Sequence, residues 1–348
     1  MEKIQPSACS VANNEKGSPD TGLNVQNCPS AGSAPSKPPL VILTGPTAVG
    51  KTKASIELAQ KIGGEVISAD SMQIYQKMDI GTAKITPEEM QGVPHHLVDI
   101  LPVEEPFHVY EFQQLAKKSL EKIYQNGHIP IVVGGTGFYI QALLYDVQFQ
   151  EEREGSSYRK ELEEIARIEG AEVLHERLKK VDPESAEAIH KNNVKRVIRA
   201  LEYYEETGRP ISVHNKEQRE NESPYNFLYI VLTMDRKKLY ARINRRVDQM
   251  AEQGLAEEVT GLHEEGYDKG LTSMQAIGYK EWFPFFEGKC SKEEVIEQIK
   301  KDTRHFAKRQ LTWFRRERDV QMIDKDQFAT ESDIVEEIIR LAKEKGIL

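Results

Sequence analysis

The chain has 348 residues, of which 39% are hydrophobic and 30% are charged, and its formal net charge is −9. This length and composition are sufficient for a hydrophobic core and indicate a soluble globular enzyme. The three cysteines give neither a disulfide framework nor metal-ligand spacing, which indicates a reducing compartment. No apolar run reaches the roughly 18 residues of a membrane span, and the N-terminus lacks a signal peptide's apolar core. We therefore expect a cytoplasmic protein without membrane contacts, in which any nucleic-acid binding depends on local basic patches.

Residues 1–37 are rich in Ser, Asn, Gly and Pro and show no periodicity, which predicts a disordered head. Strands and helices then alternate. Strands are predicted in "PLVILTG", "EVISAD", "HHLVDI" and "IPIVVGGTG", and helices in "KTKASIELAQKIGG", "EFQQLAKKSLEKIYQNG" and "FYIQALLY". Gly63 and Gly64 are expected to stop the first helix. The alternation predicts an α/β fold, a parallel sheet with helices on both faces.

The alternation stops after Tyr145, and residues 147–224 carry only helical signals, which predicts an all-helical insertion domain. The α/β core then comprises residues 38–146 and 225–348. The strand "FLYIVLTM" returns the chain to the sheet, and Asp235 is a predicted N-cap for the helix "RKKLYARINRRVDQM". Mostly helical segments are expected from there to the C-terminus.

A phosphate-binding loop is predicted directly after the first strand, where "GPTAVGKT" matches G-x-x-x-x-G-K-[ST] and opens a helix. Its backbone N–H groups and the helix dipole favour an anion, Lys51 adds a charge and the Thr52 hydroxyl can ligate Mg²⁺. The core is therefore expected to be P-loop NTPase-like. The loop suits either a nucleoside triphosphate or a leaving diphosphate. The predicted diphosphate- or nucleotide-binding residues are Gly45, Pro46, Thr47, Ala48, Val49, Gly50, Lys51, Thr52 and Arg242.

Asp70 follows the second predicted strand, at the sheet edge where open α/β folds bind ligands. In a small-molecule kinase it would orient or deprotonate a hydroxyl, and in an alkyl transfer it would accept a proton from an amine. Aspartate is also common in turns, so a turn residue is a further interpretation.

Arg246 lies close to the apolar stripe of its helix, with Arg242 one turn earlier on the adjoining flank. The stripe consists of Leu239, Ile243, Val247 and Met250. An arginine that leans toward the interior needs an anionic partner, which is either a structural carboxylate or an anionic ligand.

Two helices carry basic stripes on this acidic protein. In "KKDTRHFAKRQLTWFRR", Lys301, Arg304, Lys308 and Arg315 lie opposite Phe306, Trp313 and Phe314. In "NNVKRVIRALEYY", Lys195 and Arg199 share one flank of the helix, and Arg196 lies on another. Each stripe alone is compatible with a solvated surface. The pair favours a long polyanion as partner.

Six blocks together resemble the successive motifs of the tRNA dimethylallyltransferase family, in that family's order. They are "GPTAVGKT", "SADSMQIYQKMDIGTAK", "PHHLVDI", "VVGGTGFYIQALL", "AIGYKEW" and "AKRQLTWFRR". The resemblance covers about residues 39–325. It implies transfer of a dimethylallyl group from its diphosphate to the exocyclic amine of the adenosine immediately 3′ of the anticodon in tRNA, with Mg²⁺ as cofactor. The P-loop would then hold the leaving diphosphate.

The resemblance also implies roles for single residues. Asp70 resembles the family's general base, Thr52 the residue that contacts Mg²⁺ and the diphosphate, and Arg246 the arginine that clamps the same group. The expected tRNA contacts are Asp70, Ser71, Met72, Gln73, Thr136, Arg159, Lys195, Arg196, Arg199, Lys308, Arg309 and Arg315. The head is not part of the family pattern. No Cys-x-x-Cys…His zinc module follows Trp313, so the bacterial type is the better match.

The expected partners are the tRNA anticodon stem-loop and dimethylallyl diphosphate, with the protein acting as a monomer. Three other functions stay open at this point. They are an isopentenyltransferase on free AMP, ADP or ATP, which needs no basic stripes, a P-loop kinase of a small metabolite, and an RNA-binding NTPase switch.

Overall fold

The structure of the protein is a computed structural model that describes residues 37–149 and 157–348. The predicted disordered head, residues 1–37, lies outside the described residues except for Lys37. Cys9 and Cys28 lie there as well, whereas Cys290 is a free, half-buried cysteine.

Within the described residues, six strands form one parallel sheet. In chain order they are β1 (Pro39–Thr44), β2 (Gly64–Ser68), β3 (His95–His96), β4 (Ile129–Gly134), β5 (Asn226–Thr233) and β6 (Val320–Asp324). Their order across the sheet is β3-β2-β4-β1-β5-β6, and every neighbouring pair is parallel. Because all strands run in one direction, the loops that follow them emerge at one edge of the sheet.

Helices cover both faces of this sheet. Successive strand residues point to opposite sides, so the buried apolar residues of a strand pack against helices on both faces. Ile42 of β1 packs with Phe112 in one buried apolar cluster, and the next residue, Leu43, packs with Leu58 in another. The predicted α/β fold is therefore confirmed. The helices around the sheet are α1 (Lys51–Ile62), α2 (Pro87–Met90), α3 (Val109–Gln125), α4 (Gly137–Leu144), α10 (Arg236–Glu252), α11 (Leu255–Glu264), α12 (Phe283–Phe286), α13 (Lys292–Phe314) and α14 (Glu331–Glu344). No helix in the described ranges has both the length and the apolar character that a bilayer span requires.

Five helices connect α4 to β5, namely α5 (Ser157–Ile168), α6 (Ala171–Val181), α7 (Pro183–Ala188), α8 (Val194–Thr207) and α9 (Ile211–Glu220). They share a small apolar core of their own, formed by Leu162, Leu174, Leu178, Ala186, Val197, Ile198, Ala200 and Leu201. Residues 37–348 nevertheless form one compact unit. The boundaries of a separate insertion domain at residues 147–224 stay a prediction.

Two predictions of local structure were wrong. The strand predicted in "HHLVDI" has only two residues, because Leu97 and Asp99 adopt positive φ angles of 63° and 57° that end it. The strand β6 was missed, since "VQMID" is short and lies at the sheet edge with a half-exposed pattern. Gly63 does end α1 in a left-handed conformation, but Gly64 already belongs to β2.

A buried carboxylate of β2 joins this strand to β3 and to the segment between α3 and β4. The Glu65 carboxylate accepts hydrogen bonds from His96 Nε2 at 2.7 Å, His128 Nδ1 at 2.6 Å and Asn126 Nδ2 at 2.9 Å. Burial raises the pKa of Glu65, but the hydrogen bonds from His128, Asn126 and His96 outweigh it and lower the pKa to about 2. The ionised form of Glu65 therefore stabilises this part of the sheet.

Replacing Glu65 by Gln should lower the free energy of unfolding by about 1–3 kcal/mol at neutral pH, because donors aimed at the carboxylate lose their acceptor. A carboxyl pKa that is depressed in the folded state stabilises the protein above its unfolded value, and this contribution is lost as the pH falls toward about 2. The difference between wild type and variant should thus shrink between about pH 5 and pH 2 in urea titrations. The exposed Glu121 of α3, changed to Gln, is the matched control. A constant difference across this range would contradict the assignment.

Candidate active site

The P-loop connects β1 to α1 at the carboxyl edge of the sheet. Gly45 has a φ of 145°, and a Cβ there would lie 2.5 Å from the Leu232 carbonyl oxygen of β5. Gly50 has a left-handed φ of 101°, and a Cβ there would lie 2.6 Å from Lys325 Nζ. A side chain at either position would therefore strain the loop. The predicted P-loop is confirmed in its setting between a strand and a helix.

Lys51 is folded back onto this loop. Its Nζ donates hydrogen bonds to the carbonyl oxygens of Gly45 at 2.9 Å and Pro46 at 3.0 Å. Burial lowers the pKa of Lys51 to about 8, with Asp70 raising it and Arg246 lowering it further. The protonated lysine is thus incompletely compensated, and an anion bound in the loop would stabilise its charge.

Two arginines of α10 face the P-loop. Arg242 Nε donates to the Ala48 carbonyl oxygen at 2.8 Å and so braces the loop. Burial lowers the pKa of the Arg246 guanidinium, while the carboxylates of Asp70 and Glu89 counteract this and Arg242 adds to it. Within the described part of the chain, Arg246 forms no ion pair with a carboxylate. The geometry therefore favours an anionic ligand over a structural ion pair as the partner of Arg246.

Thr52 is the first-turn residue of α1 that follows Lys51, and its side chain is exposed. Its hydroxyl forms no hydrogen bond with another described residue, so it is available to a ligand. Among the described residues, no group of three His, Cys, Asp or Glu side chains could hold a metal ion. The Thr52 hydroxyl could ligate a cation such as Mg²⁺ together with oxygens of a bound phosphate.

Asp70 lies two residues after β2, in a turn that its own side chain helps to close. Its Oδ1 accepts a hydrogen bond from the Met72 backbone N–H at 2.9 Å, as aspartate often does in turns. Its Oδ2 accepts none from the described residues. The backbone N–H of Ser71 donates to Thr136 Oγ1 at 3.3 Å, which joins this turn to the loop after β4. Asp70 is therefore a turn residue through one oxygen and an available acceptor through the other.

Two adjoining cavities meet at these loops. The first has a volume of about 740 Å³ and reaches the P-loop, Thr52, Arg242 and Arg246. The second has a volume of about 310 Å³, and its lining includes the apolar side chains of Met72, Ile243, Val247, Ile277 and Ile299. The residues that line both are Thr47, Ala48, Asp70, Thr82, Arg246, Met250 and Phe306. The first cavity is thus the more polar and includes the cationic side chains at the P-loop. The second cavity is more apolar, although Arg246, Lys280 and Arg309 also line it, and Asp70 lies where the two join.

Several predicted tRNA contacts line these cavities. Gln73 lines the first cavity, and Ser71, Met72, Thr136 and Arg309 line the second. Phe306 was expected on the apolar side of its helix and instead lines both cavities, whereas Phe314 is buried.

The other predicted tRNA contacts lie on helices outside the cavities. Lys308 and Arg315 are exposed at the C-terminal end of α13, and Lys195 and Arg196 are exposed on α8. Their contact with RNA stays a prediction. Arg304, which was placed on the same basic stripe of α13, is half-buried and donates to Asn244 Oδ1 at 2.6 Å, so that part of the prediction was wrong.

Arg159 is held by an ion pair in the helical segment. Its Nε lies 2.9 and 3.0 Å from the two carboxylate oxygens of Glu202, and its Nη2 lies 2.6 Å from one of them. The Glu202 side chain is buried, so the pair fixes α5 against α8. Arg199 is half-buried and also has a partner. Contact of Arg159 and Arg199 with tRNA stays a prediction.

Gln310 of α13 was missed by the sequence analysis. Its Oε1 accepts a hydrogen bond from the Thr47 backbone N–H at 2.9 Å, and its Nε2 donates to the Gly135 carbonyl oxygen at 3.0 Å. A Cβ on Gly135 would lie 2.2 Å from that Nε2 atom. The signal was present, because Gln310 is a polar residue four positions from both Phe306 and Phe314 on the inner side of the helix. Its amide joins the P-loop to the loop after β4.

Comparison with known proteins identifies the relatives of this chain. The model of the family described as IPP transferase matches residues 73–317. A tRNA dimethylallyltransferase of Lachnoclostridium phytofermentans is 58% identical over 310 residues, which cover 89% of this chain and 99% of that protein. A protein of the same name from Geobacillus thermodenitrificans is 53% identical over 307 residues, with coverage of 86% and 95%.

Solved structures agree with these relatives. The full-length tRNA isopentenylpyrophosphate transferase from Bacillus halodurans is 46% identical, with a TM-score of 0.66 and coverage of 89% of this chain and 98% of that one. A eukaryotic dimethylallyltransferase, described in crystallographic snapshots as acting on tRNA, is 31% identical, with a TM-score of 0.76 and coverage of 89% and 80%. With a P-loop, an aspartate at the sheet edge and relatives of this similarity along most of its length, the chain belongs to the IPP transferase family, which the sequence motifs had indicated.

Proposed function

We propose that this protein transfers a dimethylallyl group from dimethylallyl diphosphate to the exocyclic amine of the adenosine 3′-adjacent to the anticodon in tRNA, releasing diphosphate. The observation that carries the proposal is that Asp70 lies where a polar cavity at the P-loop, with Lys51, Arg242 and Arg246 in its lining, joins a more apolar cavity. This arrangement suits a substrate with an anionic head and a hydrocarbon chain. The names of the relatives support tRNA as the acceptor.

The diphosphate would bind to the P-loop, Lys51, Arg242 and Arg246. Of this set, the first cavity is lined by Thr47, Ala48, Gly50, Lys51, Thr52, Arg242 and Arg246. The lowered pKa values of Lys51 and Arg246 indicate charges that an anion would stabilise. Thr52 would hold Mg²⁺ together with the diphosphate oxygens. When bound, Mg²⁺ supplies positive charge that stabilises the leaving diphosphate.

In the transfer step, the adenine amine nitrogen forms a bond to the first carbon of the dimethylallyl chain. The bond from that carbon to the diphosphate oxygen breaks, and its electron pair leaves with the diphosphate. Asp70 accepts the proton that the amine loses, through the oxygen that the turn does not use. Lys51 and Arg246 stabilise the charge that develops on the leaving group.

The adenine must leave its stack in the anticodon loop to reach Asp70. Within the turn at residues 70–73, Asp70 lines both cavities, Ser71 and Met72 line the second together with Thr136, and Gln73 lines the first. This placement suits the turn to receive the base. The exposed basic side chains of α13 and α8 would bind backbone phosphates. We further propose that the protein acts in the cytoplasm as a monomer.

One experiment separates this function from its alternatives. The protein is incubated with dimethylallyl diphosphate and either undermodified tRNA or free AMP, and with ATP in a separate control. We expect prenylated tRNA, with pyrophosphate released only when both substrates are present. Prenylated AMP would support the free-nucleotide enzyme, and phosphate transfer from ATP to a metabolite would support a kinase. ATP hydrolysis that is stimulated by RNA, without prenyl transfer, would support an NTPase switch.

Replacing Asp70 by Asn should lower single-turnover transfer by about 10²–10⁴-fold, the range for loss of a general base. Asparagine keeps the oxygen that accepts from Met72, so the turn survives and only the acceptor for the amine proton is removed. The affinity for tRNA, measured in parallel, should change little because most of it comes from phosphate contacts. If Asp70→Asn transfers the dimethylallyl group at a near-normal rate, Asp70 is not the general base and only closes the turn.

Binding of pyrophosphate with Mg²⁺ should weaken as the pH rises through about 8, because Lys51 then loses its proton in the ligand-free protein. Calorimetric titrations of wild type and Lys51→Met across this range measure the effect. Pyrophosphate also changes its own protonation state over this pH range, but it does so equally with both proteins. The difference between the two profiles of affinity against pH therefore reports the contribution of Lys51. Parallel profiles would show that Lys51 does not contact the anion.

Changing Lys308 and Arg315 together to Ala, or Lys195 and Arg196 together, should weaken tRNA binding and reduce its salt dependence. The slope of log K against log salt should fall by about one unit for each RNA phosphate that the variant no longer neutralises. The exposed lysines Lys118 and Lys122 of α3, changed together, are the matched control. If both test variants keep the wild-type affinity for tRNA and the wild-type salt dependence, the basic faces are ordinary solvated surfaces that do not bind RNA.

A further inference from the structure

Glu258 of α11 binds a loop that belongs to the active site. Its Oε2 accepts hydrogen bonds from the backbone N–H groups of Asp79 at 2.9 Å and Ile80 at 2.7 Å, and its Oε1 accepts one from Gly81 at 3.0 Å. Three consecutive backbone donors thus converge on one carboxylate. Hydrogen bonds to a charged acceptor are stronger than neutral ones, so this contact fixes the loop firmly against α11.

Tyr279 completes the same contact from a third segment. Its hydroxyl donates to Glu258 Oε1 at 2.6 Å, and its side chain is fully buried. A Cβ on Gly81 would lie 2.4 Å from the Tyr279 ring, and a Cβ on Gly278 would lie 3.3 Å from the Gly81 carbonyl oxygen. The two segments therefore touch without room for an added side chain at Gly81, and the position of the loop is narrowly defined.

The loop held in this way forms one wall of the first cavity. Its lining residues are Asp79, Ile80, Thr82, Ala83, Lys84, Ile85 and Thr86. The wall in turn holds Gln73, whose Nε2 donates to the Ala83 carbonyl oxygen at 3.2 Å and to that of Thr82 at 3.5 Å. Gln73 is in the same turn as Asp70, so a chain of hydrogen bonds leads from Glu258 through the wall to the catalytic turn.

Lys84 anchors the far end of the wall. The Lys84 side chain is buried, and its Nζ donates to the Tyr75 carbonyl oxygen at 2.6 Å and to the carboxylates of Asp79 at 2.5 Å and Asp99 at 2.7 Å. These partners belong to the loops around the wall itself. Glu258 differs because it ties the wall to α11, a helix outside these loops.

We propose that Glu258 is a positioning residue for the transfer reaction, which sets the place of Gln73 and of the acceptor adenosine by fixing the wall at residues 79–86. This inference rests on the proposed function. It predicts that the effects of Glu258 and Gln73 on kcat/KM are coupled. Once one of the two residues has been replaced, replacing the other should lower kcat/KM much less than it does in the wild type.

The test is a double-mutant cycle of Glu258→Gln and Gln73→Ala, read as kcat/KM for undermodified tRNA at saturating dimethylallyl diphosphate. In Glu258→Gln an amide nitrogen replaces one acceptor oxygen and faces backbone donors. This change should lower kcat/KM about tenfold in the wild-type background and less than about twofold in the Gln73→Ala background. The melting temperature of each variant is measured in the same buffer.

Glu257→Gln is the control, because Glu257 is the neighbouring residue on α11 and its carboxylate lies 3.6 Å from Lys292 Nζ at the surface. It should keep wild-type kinetics. If Glu258→Gln does not fold, Tyr279→Phe replaces it in the cycle, since this change removes one donor to Glu258 and leaves the ring in place.

Two results would overturn the positioning role and leave Glu258 as a structural residue. One is that Glu258→Gln lowers kcat/KM by the same factor in the wild-type and Gln73→Ala backgrounds, and the other is a lowered melting temperature with unchanged kcat/KM. The proposed function fails separately. A wild-type protein that transfers nothing to tRNA would refute the function, whereas an active wild type with additive variants refutes only the inference about Glu258.

Discussion

The candidate active site depends on one electrostatic constraint, which is the partial burial of Lys51 and Arg246 at the carboxyl edge of the sheet. Burial lowers the pKa of both side chains, and a buried cation without close compensation is costly. The protein tolerates this cost because Lys51 rests on carbonyl oxygens of the P-loop while Arg242 braces the same loop. The site therefore holds positive charge in place without a ligand, as the proposed stabilisation of a leaving diphosphate requires.

Asp70 shows how one side chain can satisfy two interpretations that the sequence presented as alternatives. One oxygen closes the turn after β2, and the other stays available within the site. The turn role is compatible with the proposed chemical role, because an aspartate whose rotamer is fixed by its own turn would lose less entropy on meeting the amine. The link from Ser71 to Thr136 fixes the turn from the other side as well.

The features that could be predicted from sequence are those decided within a short stretch of chain. The P-loop between β1 and α1, the cap by Asp235 and the buried strands all follow from local patterns. Contacts between distant positions could not be predicted in this way. Thr47 and Gln310 are 263 positions apart, and Gly81 and Glu258 are 177 apart. Such partners become visible only when the sheet brings their loops together.

The errors of local prediction have the same origin. The strand β6 is stabilised by pairing with β5, which a pattern of only five residues cannot reveal. Arg304 looked like a surface residue because its position on the helix lies opposite the aromatic side chains, yet α10 packs there and Asn244 accepts its hydrogen bond. Tertiary packing thus determines whether a given face of a helix is exposed or buried.

The amide of Gln310 connects α13 directly to the P-loop. The Thr47 N–H is already donated to Gln310, so a ligand that takes this donor must first displace the helix side chain. The same helix presents Lys308 and Arg315 to the exterior. Any shift of α13 that accompanies occupancy of the P-loop would therefore also move these exposed basic side chains. By thermodynamic reciprocity, a polyanion that selects one position of α13 changes the affinity of the loop for its anion by the same factor.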